Sequence, residues 1–286
     1  MRAELDLGAL VQGAVELGSP PWVVHRLSEL VDDPRASIGD IAEVIRTDAG
    51  LSARLLRLAN SAFYSFPGRI ETVYRALTLI GTQQLRDLAF ATFILTRFRG
   101  LQVAGVDPAS FWEHGVACGA AARVLAVLRR EANPERYFVA GLLHDLGRLV
   151  IYEQHPDWAH TALALAEQHP LPLYQVERVA WGAEHAAVGQ ALLRRWRLPE
   201  SLVEAVAHHH EPSRSQRFPL EAAVVHVADI VAHVLGFGPS GSPYVPPMDP
   251  LAWERLSLPV SALKPLLVQS LRGYRAAAAT LLEDGA

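Results

Sequence analysis

The chain has a single cysteine, Cys118, among 286 residues. An intramolecular disulfide is excluded, and a lone thiol suits a reducing compartment. Its neighbours Val116, Ala117, Gly119 and Ala120 are small and apolar, so it reads as a buried structural group. Lysine is as scarce, with Lys264 the only one. Arginine carries the rest of the positive charge; with the many alanines, this reads as coding bias and not as function. No strong excess of either charge is present: 26 basic residues meet 30 acidic ones, for a formal net charge of −4. A protein built to coat nucleic acid would be basic. No run of about 18 apolar residues occurs, so no membrane span is expected. Residues 1–20 contain Glu4, Asp6 and Glu16 and lack a long apolar run, so no signal peptide is read there. The expected location is the cytoplasm.

Strand alternation and hairpin signals are also missing. What is present is helical periodicity in a globular composition, half hydrophobic and one-fifth charged. Leu27, Leu30 and Val31 follow Pro20-Pro21, with Ser19 placed as an N-cap. Ser37 and Asp40 have capping-box spacing, ahead of the apolar face Ile41, Val44 and Ile45. Further helices are expected over 49–60, over 72–80 with a stop at Gly81, and from Thr82 as a cap to about Phe98. The pattern breaks around Gly100–Pro108. It divides the chain into an N-terminal helical lobe, 1–104, and a C-terminal helical lobe, 105–286. The second lobe is expected to hold helices over 111–130, 135–152, 158–169, 173–181, 185–195, 200–208 and 220–235. Residues 236–250 read as an exposed loop, and 260–282 as a last helix, packed by default on its own lobe. The expected fold is all-α.

Chemistry concentrates in the second lobe. His144 and Asp145 are adjacent inside the apolar stretch Ala140–Arg148. On a helix, neighbours point about 100° apart, so the pair can grip an ion lying in the angle between them. Further donors are His114, His185, His209, His210 and Asp229. Imidazole with carboxylate suits Fe, Mn, Zn or Co, and the lack of thiolate argues against a zinc finger. The residues leave two readings open: an ion, or a satisfied polar network without one. His226 and His233 share a helical face with Asp229, as an orienting shell or as a plain amphipathic face. His208 reads as exposed, and His25, His155, His160 and His169 as surface residues. The run Phe63–Pro67 reads as core packing, and Asn60 and Ser61 as caps. The helix pair over 37–60 offers only Arg46, Arg54 and Arg57 as basic groups, so no DNA binding is expected.

The order His, His-Asp, His, His-His, Asp on successive helices resembles the HD superfamily of metal-dependent phosphohydrolases. That resemblance implies a metal set of His114, His144, Asp145 and Asp229, extended in binuclear members by His185, His209 and His210. Arg148 matches a basic residue that contacts phosphate there. The Gly-Tyr-Pro signature is absent after Glu211, where the chain reads Pro212-Ser213-Arg214, so cyclic-di-GMP hydrolysis is not supported. Ser110 stands where some three-metal sites have an acid. The N-terminal stretches Ile41–Leu51, Leu58–Tyr64 and Ala76–Gly81, with Ala140–Gly147 and Gly189–Pro199, resemble the HDOD family of bacterial signalling proteins more closely. The resemblance covers roughly residues 15–235. It implies a helical N-terminal lobe on an HD-like lobe, and a regulatory role exerted through a signalling protein partner or a small phosphorylated ligand. A divalent metal, one or two ions of Fe, Mn or Zn, is the implied cofactor. The alternatives are a phosphohydrolase with Asp145 and Arg148 in catalytic roles, and a scaffold with a vestigial site.

Overall fold

The structure, a computed structural model, describes residues 6–18, 22–64, 66–101, 106–169, 171–237 and 244–282. It is all-α, with no strand among the described residues. The first six helices are α1 (Leu7–Gly18), α2 (Trp22–Asp32), α3 (Ile38–Arg46), α4 (Ala49–Ala59), α5 (Val73–Ile80) and α6 (Thr82–Phe98). Next come α7 (Pro108–Arg129), α8 (Pro134–Leu143), α9 (Leu146–Gln154), α10 (Pro156–Gln168) and α11 (Leu173–Trp181). The chain continues through α12 (His185–Arg195), α13 (Glu200–Ala207), α14 (Pro219–Val234), α15 (Pro250–Leu256) and α16 (Leu263–Leu281).

Local chemistry explains many of these boundaries. The Ser37 hydroxyl accepts from the Asp40 backbone N–H, and Asp40 accepts from Ser37 N–H in return, so the capping box forms. Asp48, Thr72, Asp107 and Asn133 cap α4, α5, α7 and α8 with side chains that accept from first-turn backbone N–H groups. Gly81 ends α5 with φ 100°, a backbone state that favours glycine. It is also the residue before α6, so Thr82 starts that helix and does not cap it. Asn60 binds the carbonyls of Leu56 and Ile70 and accepts from Ile70 N–H, pinning the loop after α4. Phe63 is buried edge-on against Phe138, the packing role expected for that run.

Several boundaries differ from expectation. The helix expected over 135–152 is broken after Leu143, and Asp145 adopts φ −93° and ψ 9°. The adjacent His144 and Asp145 therefore lie in a turn between two helices, not on one helix. α1 was not anticipated, although the Asp6 carboxylate caps it at Ala9 N–H. α15 begins at the end of the expected 236–250 loop, and Val260–Ala262 forms a short 3₁₀ turn ahead of α16. The expected cap Ser19 and the lobe boundary at 104/105 lie outside the described residues.

α7 forms the spine, packed along α8, α14 and α16. By length and composition it could cross a membrane, but 78% of its most apolar window is buried inside the protein. Cys118 lies on it, fully buried as expected. The N-terminal α1 reaches over to pack on α9 and α12, and α6 packs on α8. One continuous hydrophobic core results.

Two close approaches bring the helices near enough to share a polar centre. A Cβ on Gly141 would lie 2.8 Å from the Gly119 backbone, so α7 and α8 touch backbone to backbone there. A Cβ on Gly147 would overlap the His185 carbonyl and lie 2.7 Å from Gly189 N, because α9 rests directly on α12. Gly147→Ala should therefore push α12 outward. Such overpacking costs about 1–3 kcal/mol. Calorimetry should show melting lowered by roughly 3–10 °C; an unchanged melting temperature would show that this contact is not tight.

Candidate metal centre

Six elements converge below the broken helix. His114 comes from the second turn of α7, and His144 and Asp145 from the α8–α9 turn. His185 is the first residue of α12, His209 and His210 follow α13, and Asp229 lies inside α14. Their donor atoms fall into two groups, His114/His144/Asp229 and Asp145/His185/His209/His210, each with one atom per residue within 4.8 Å of the others. All seven residues of the expected metal set are thus brought together.

Asp145 joins the groups. Its Oδ2 lies 3.4 Å from His144 Nε2, and its Oδ1 lies 3.0 Å from His185 Nε2 and 3.8 Å from His209 Nε2. Asp229 Oδ1 is 3.1 Å from His114 Nε2 and 3.8 Å from His144 Nε2. His210 Nε2 and His185 Nε2 are 3.0 Å apart. Metal–ligand bonds of about 2.1 Å put neighbouring donors about 3 Å apart, so these spacings suit a shared ion.

Ring orientation is set from behind. His144 Nδ1 lies 2.6 Å from the Gly141 carbonyl, His209 Nδ1 2.7 Å from that of Val206, and His114 Nδ1 3.3 Å from that of Phe237. A carbonyl only accepts, so each Nδ1 carries the proton and each Nε2 turns a lone pair to the centre. Glu177, buried on α11, does this for His185, with Oε2 2.5 Å from Nδ1 and 2.9 Å from the backbone N.

The residues fit a cation. His209 Nε2 and His210 Nδ1 are buried without a hydrogen-bond partner, while His114 Nε2 faces Asp229 Oδ1 and Asp145 Oδ1 faces His185 Nε2. Unpartnered nitrogens beside two buried carboxylates are costly unless something satisfies them. Burial opposes ionisation of both carboxyls, but they stay well below the usual range. Arg148, His144 and His185 hold Asp145 there, and His114, His144 and His233 hold Asp229. Burial and neighbouring imidazoles keep His209 and His210 neutral; burial also lowers His144, against the pull of Asp145 and Asp229. Burial opposes charge on His114 as well, but its hydrogen-bond geometry and attraction to Asp229 raise it. For His185, burial and Arg148 oppose charge, yet Glu177 and Asp145 prevail and push it up to about 9. An ion taking its Nε2 would release that proton and leave Nδ1–H on Glu177.

Arg148 is buried, donates to Asp145 Oδ2 at 2.8 Å and lies 3.3 Å from His185 Nδ1 through Nε. Its Nε also lies 4.0 Å from Glu177 Oε1. Of the two histidines flanking Asp229, His233 Nε2 lies 3.4 Å from Asp229 Oδ1. His226 instead supports the turn before α14: its Nδ1 donates to the His209 carbonyl at 2.7 Å and its Nε2 accepts from Asp249 N–H. His208 is half-buried beside Glu204, and His155 is half-buried and stacked on Trp158. His25, His160 and His169 are exposed. Sequence reasoning missed Glu177 and Tyr174, whose ring stacks on His210 at 4.1 Å. Both lie on α11, one helix before His185, and an acid on the buried face of that helix was the available signal.

Glu177→Gln keeps the shape and removes the charge behind His185. Losing such a partner costs about 10–100-fold in metal affinity. A chelator-competition titration should show that loss; unchanged affinity would place Glu177 outside the centre's support.

The HDOD domain model matches residues 17–212. An uncharacterized protein of Treponema pallidum (strain Nichols) is 25% identical over 191 residues, 66% of this chain. The chain spans only 37% of that relative's length. Among solved structures, an HDOD domain protein of unknown function from Geobacter sulfurreducens superposes with a TM-score of 0.77 at 23% identity, covering 96% of this chain and 98% of the other. A protein of Shewanella amazonensis SB2B, provisionally named a phosphohydrolase, gives a TM-score of 0.73 at 25% identity, with 94% and 97% covered. The family model spans well over half of the chain, and on that match the chain belongs to the HDOD domain family.

Proposed function

We propose that the chain is a signal-transduction module acting through a protein partner or a small phosphorylated ligand. In this reading its His/Asp centre holds one or two divalent ions as a buried tie between helices. The burial of the centre carries the reading. None of the seven ligand residues is more than 8% exposed. A hydrolytic metal site keeps an open position for water and substrate. Here Tyr174 covers His210, and Arg178 on the same helix is ion-paired to both Glu184 and Glu211. The buried guanidinium of Arg148 is engaged by Asp145.

A second reading, a metal-dependent phosphohydrolase, draws on the complete donor set and on Asp145 shared between its halves. The Shewanella relative's provisional name is in line with it. The ions would supply Lewis-acid polarisation of a phosphoryl oxygen and a bound water made acidic near neutral pH. His114, His144 and Asp229 would hold one ion; His185, His209 and His210 would hold the other; Asp145 would lie between them. Arg148 would have to leave Asp145 to reach a phosphate.

Protein purified without chelator or affinity metal should contain one or two equivalents of Fe, Mn or Zn by elemental mass spectrometry. Asp145→Ala should lose them and melt roughly 5–10 °C lower, because a bound ligand stabilises the native state by mass action. Wild-type protein should not turn over a panel of phosphomonoesters, phosphodiesters and nucleotides. Metal-free protein that refuses added metal would remove the tie. Robust turnover abolished by Asp145→Ala would replace the signalling reading with the enzymatic one.

A further inference from the structure

A centre this closed has to be entered by something that moves. His210 is the most exposed of its seven ligands, at 8%, and the other six are at most 4% exposed. Tyr174 lies flat over His210, with centroids 4.1 Å apart and planes 14° from parallel. The Arg178 guanidinium in turn lies 5.3 Å from the Tyr174 ring centroid. A stack of His210, Tyr174 and Arg178 therefore runs from a buried ligand to a side chain that is 32% exposed.

Both covering residues belong to α11. Tyr174, Glu177 and Arg178 stand at i, i+3 and i+4, on one face of that helix. Among the described residues, α10 is the helix that packs along α11, and Trp181 stacks on Trp158 of α10 at 5.7 Å. Leu173, Val176 and Trp181 are buried, which keeps the helix folded. Polar side chains fasten it to the centre. Arg178 pairs with Glu184 at 2.7 Å and with Glu211 at 2.6 Å. Glu184 precedes His185 and Glu211 follows His210, so one guanidinium ties down both ligand segments. Glu177 adds its bond to His185. Just beyond α11, Gly182 has φ 78° and open space where a Cβ would be, so the backbone can pivot there.

We propose that α11 is the gate of the centre and Arg178 its latch. When Arg178 leaves Glu184 and Glu211, water takes over its hydrogen bonds, because the pairs are partly exposed. Tyr174 then lifts from His210 and opens a path for a divalent ion between solvent and the ligands. Glu177 is drawn from His185 in the same motion, so opening also loosens a ligand. The path rests on the reading of the centre as a metal site; the motion of α11 does not.

The test follows amide hydrogen exchange and zinc exchange on the full chain. The proteins are wild type, Arg178→Ala, Glu211→Gln, and Arg194→Ala, which removes an exposed arginine paired to Glu200 as a control. Circular dichroism melts check that each is folded, and Glu211→Gln carries the test if Arg178→Ala is not. In wild type, α11 amides should exchange faster than those of α7 and α14, because a gate opens without global unfolding. Arg178→Ala should speed α11 exchange, and should raise zinc uptake and zinc release alike by about fivefold, the effect of losing two modest ion pairs. A gate acts in both directions, so the zinc Kd should stay the same. Glu211→Gln should shift all three rates the same way by less, and Arg194→Ala should shift none. Exchange of α11 as slow as that of α7, zinc rates unchanged in Arg178→Ala, or faster release without faster uptake would each overturn the gate. Protein that binds no zinc would instead remove the metal reading and the path with it, and α11 exchange in wild type and Arg178→Ala would decide the motion alone.

Discussion

Two ionised carboxylates, Asp145 and Asp229, sit buried where the helices of the C-terminal half meet, and the surrounding architecture answers to them. An unpaired buried carboxylate costs several kcal/mol even after the protein relaxes. Arg148 compensates Asp145 through one oxygen and leaves the other facing His185 and His209. Asp229 faces His114, His144 and His233. Most of these imidazoles are held neutral and turn lone pairs inward. Carboxylate oxygens and neutral imidazole lone pairs facing one another favour a cation between them, and a divalent ion would satisfy several of them at once.

The fold brings the donors to that point by removing side chains elsewhere. α8 lies on α7 where Gly119 faces Gly141, and α9 lies on α12 where Gly147 meets the His185 backbone. The break between α8 and α9 turns His144 and Asp145 toward different partners, His144 to the Asp229 side and Asp145 between the two groups. A continuous helix would send one of them away from the centre. The carbonyls behind His114, His144 and His209 come from a loop after α14 and from the last turns of α8 and α13. A helix end has free carbonyls to offer, which suits His144 and His209, whereas His114 and Asp229 lie inside α7 and α14.

Much of this was legible in the chain. The capping box at Ser37, the stop at Gly81 and most helices of the second half follow from local rules, because caps and amphipathic faces are local chemistry. The seven ligands could be named because His and Asp are conspicuous in apolar stretches. The break at residues 144–145 was not legible, since Ala140–Tyr152 is helix-compatible throughout and only tertiary demands interrupt it. Glu177 was missed for a related reason: its partner His185 lies eight residues away, beyond any helical spacing. α1 carried a readable signal, the Asp6 cap, but its short apolar face has meaning only against α9 and α12. The opposite behaviour of His226 and His233, three and four residues from Asp229, depends on where the turn after His209 passes.

The central claim is that the inward-facing donors are metal ligands. Anomalous difference density from crystals grown with Zn or Mn tests it most directly. The account predicts one or two strong peaks, each within about 2.3 Å of donors from one group, with Asp145 or Asp229 among them. Crystals that take up metal only on the surface, with ordered water or closed hydrogen bonds between Asp145, Asp229 and the histidines, would contradict it.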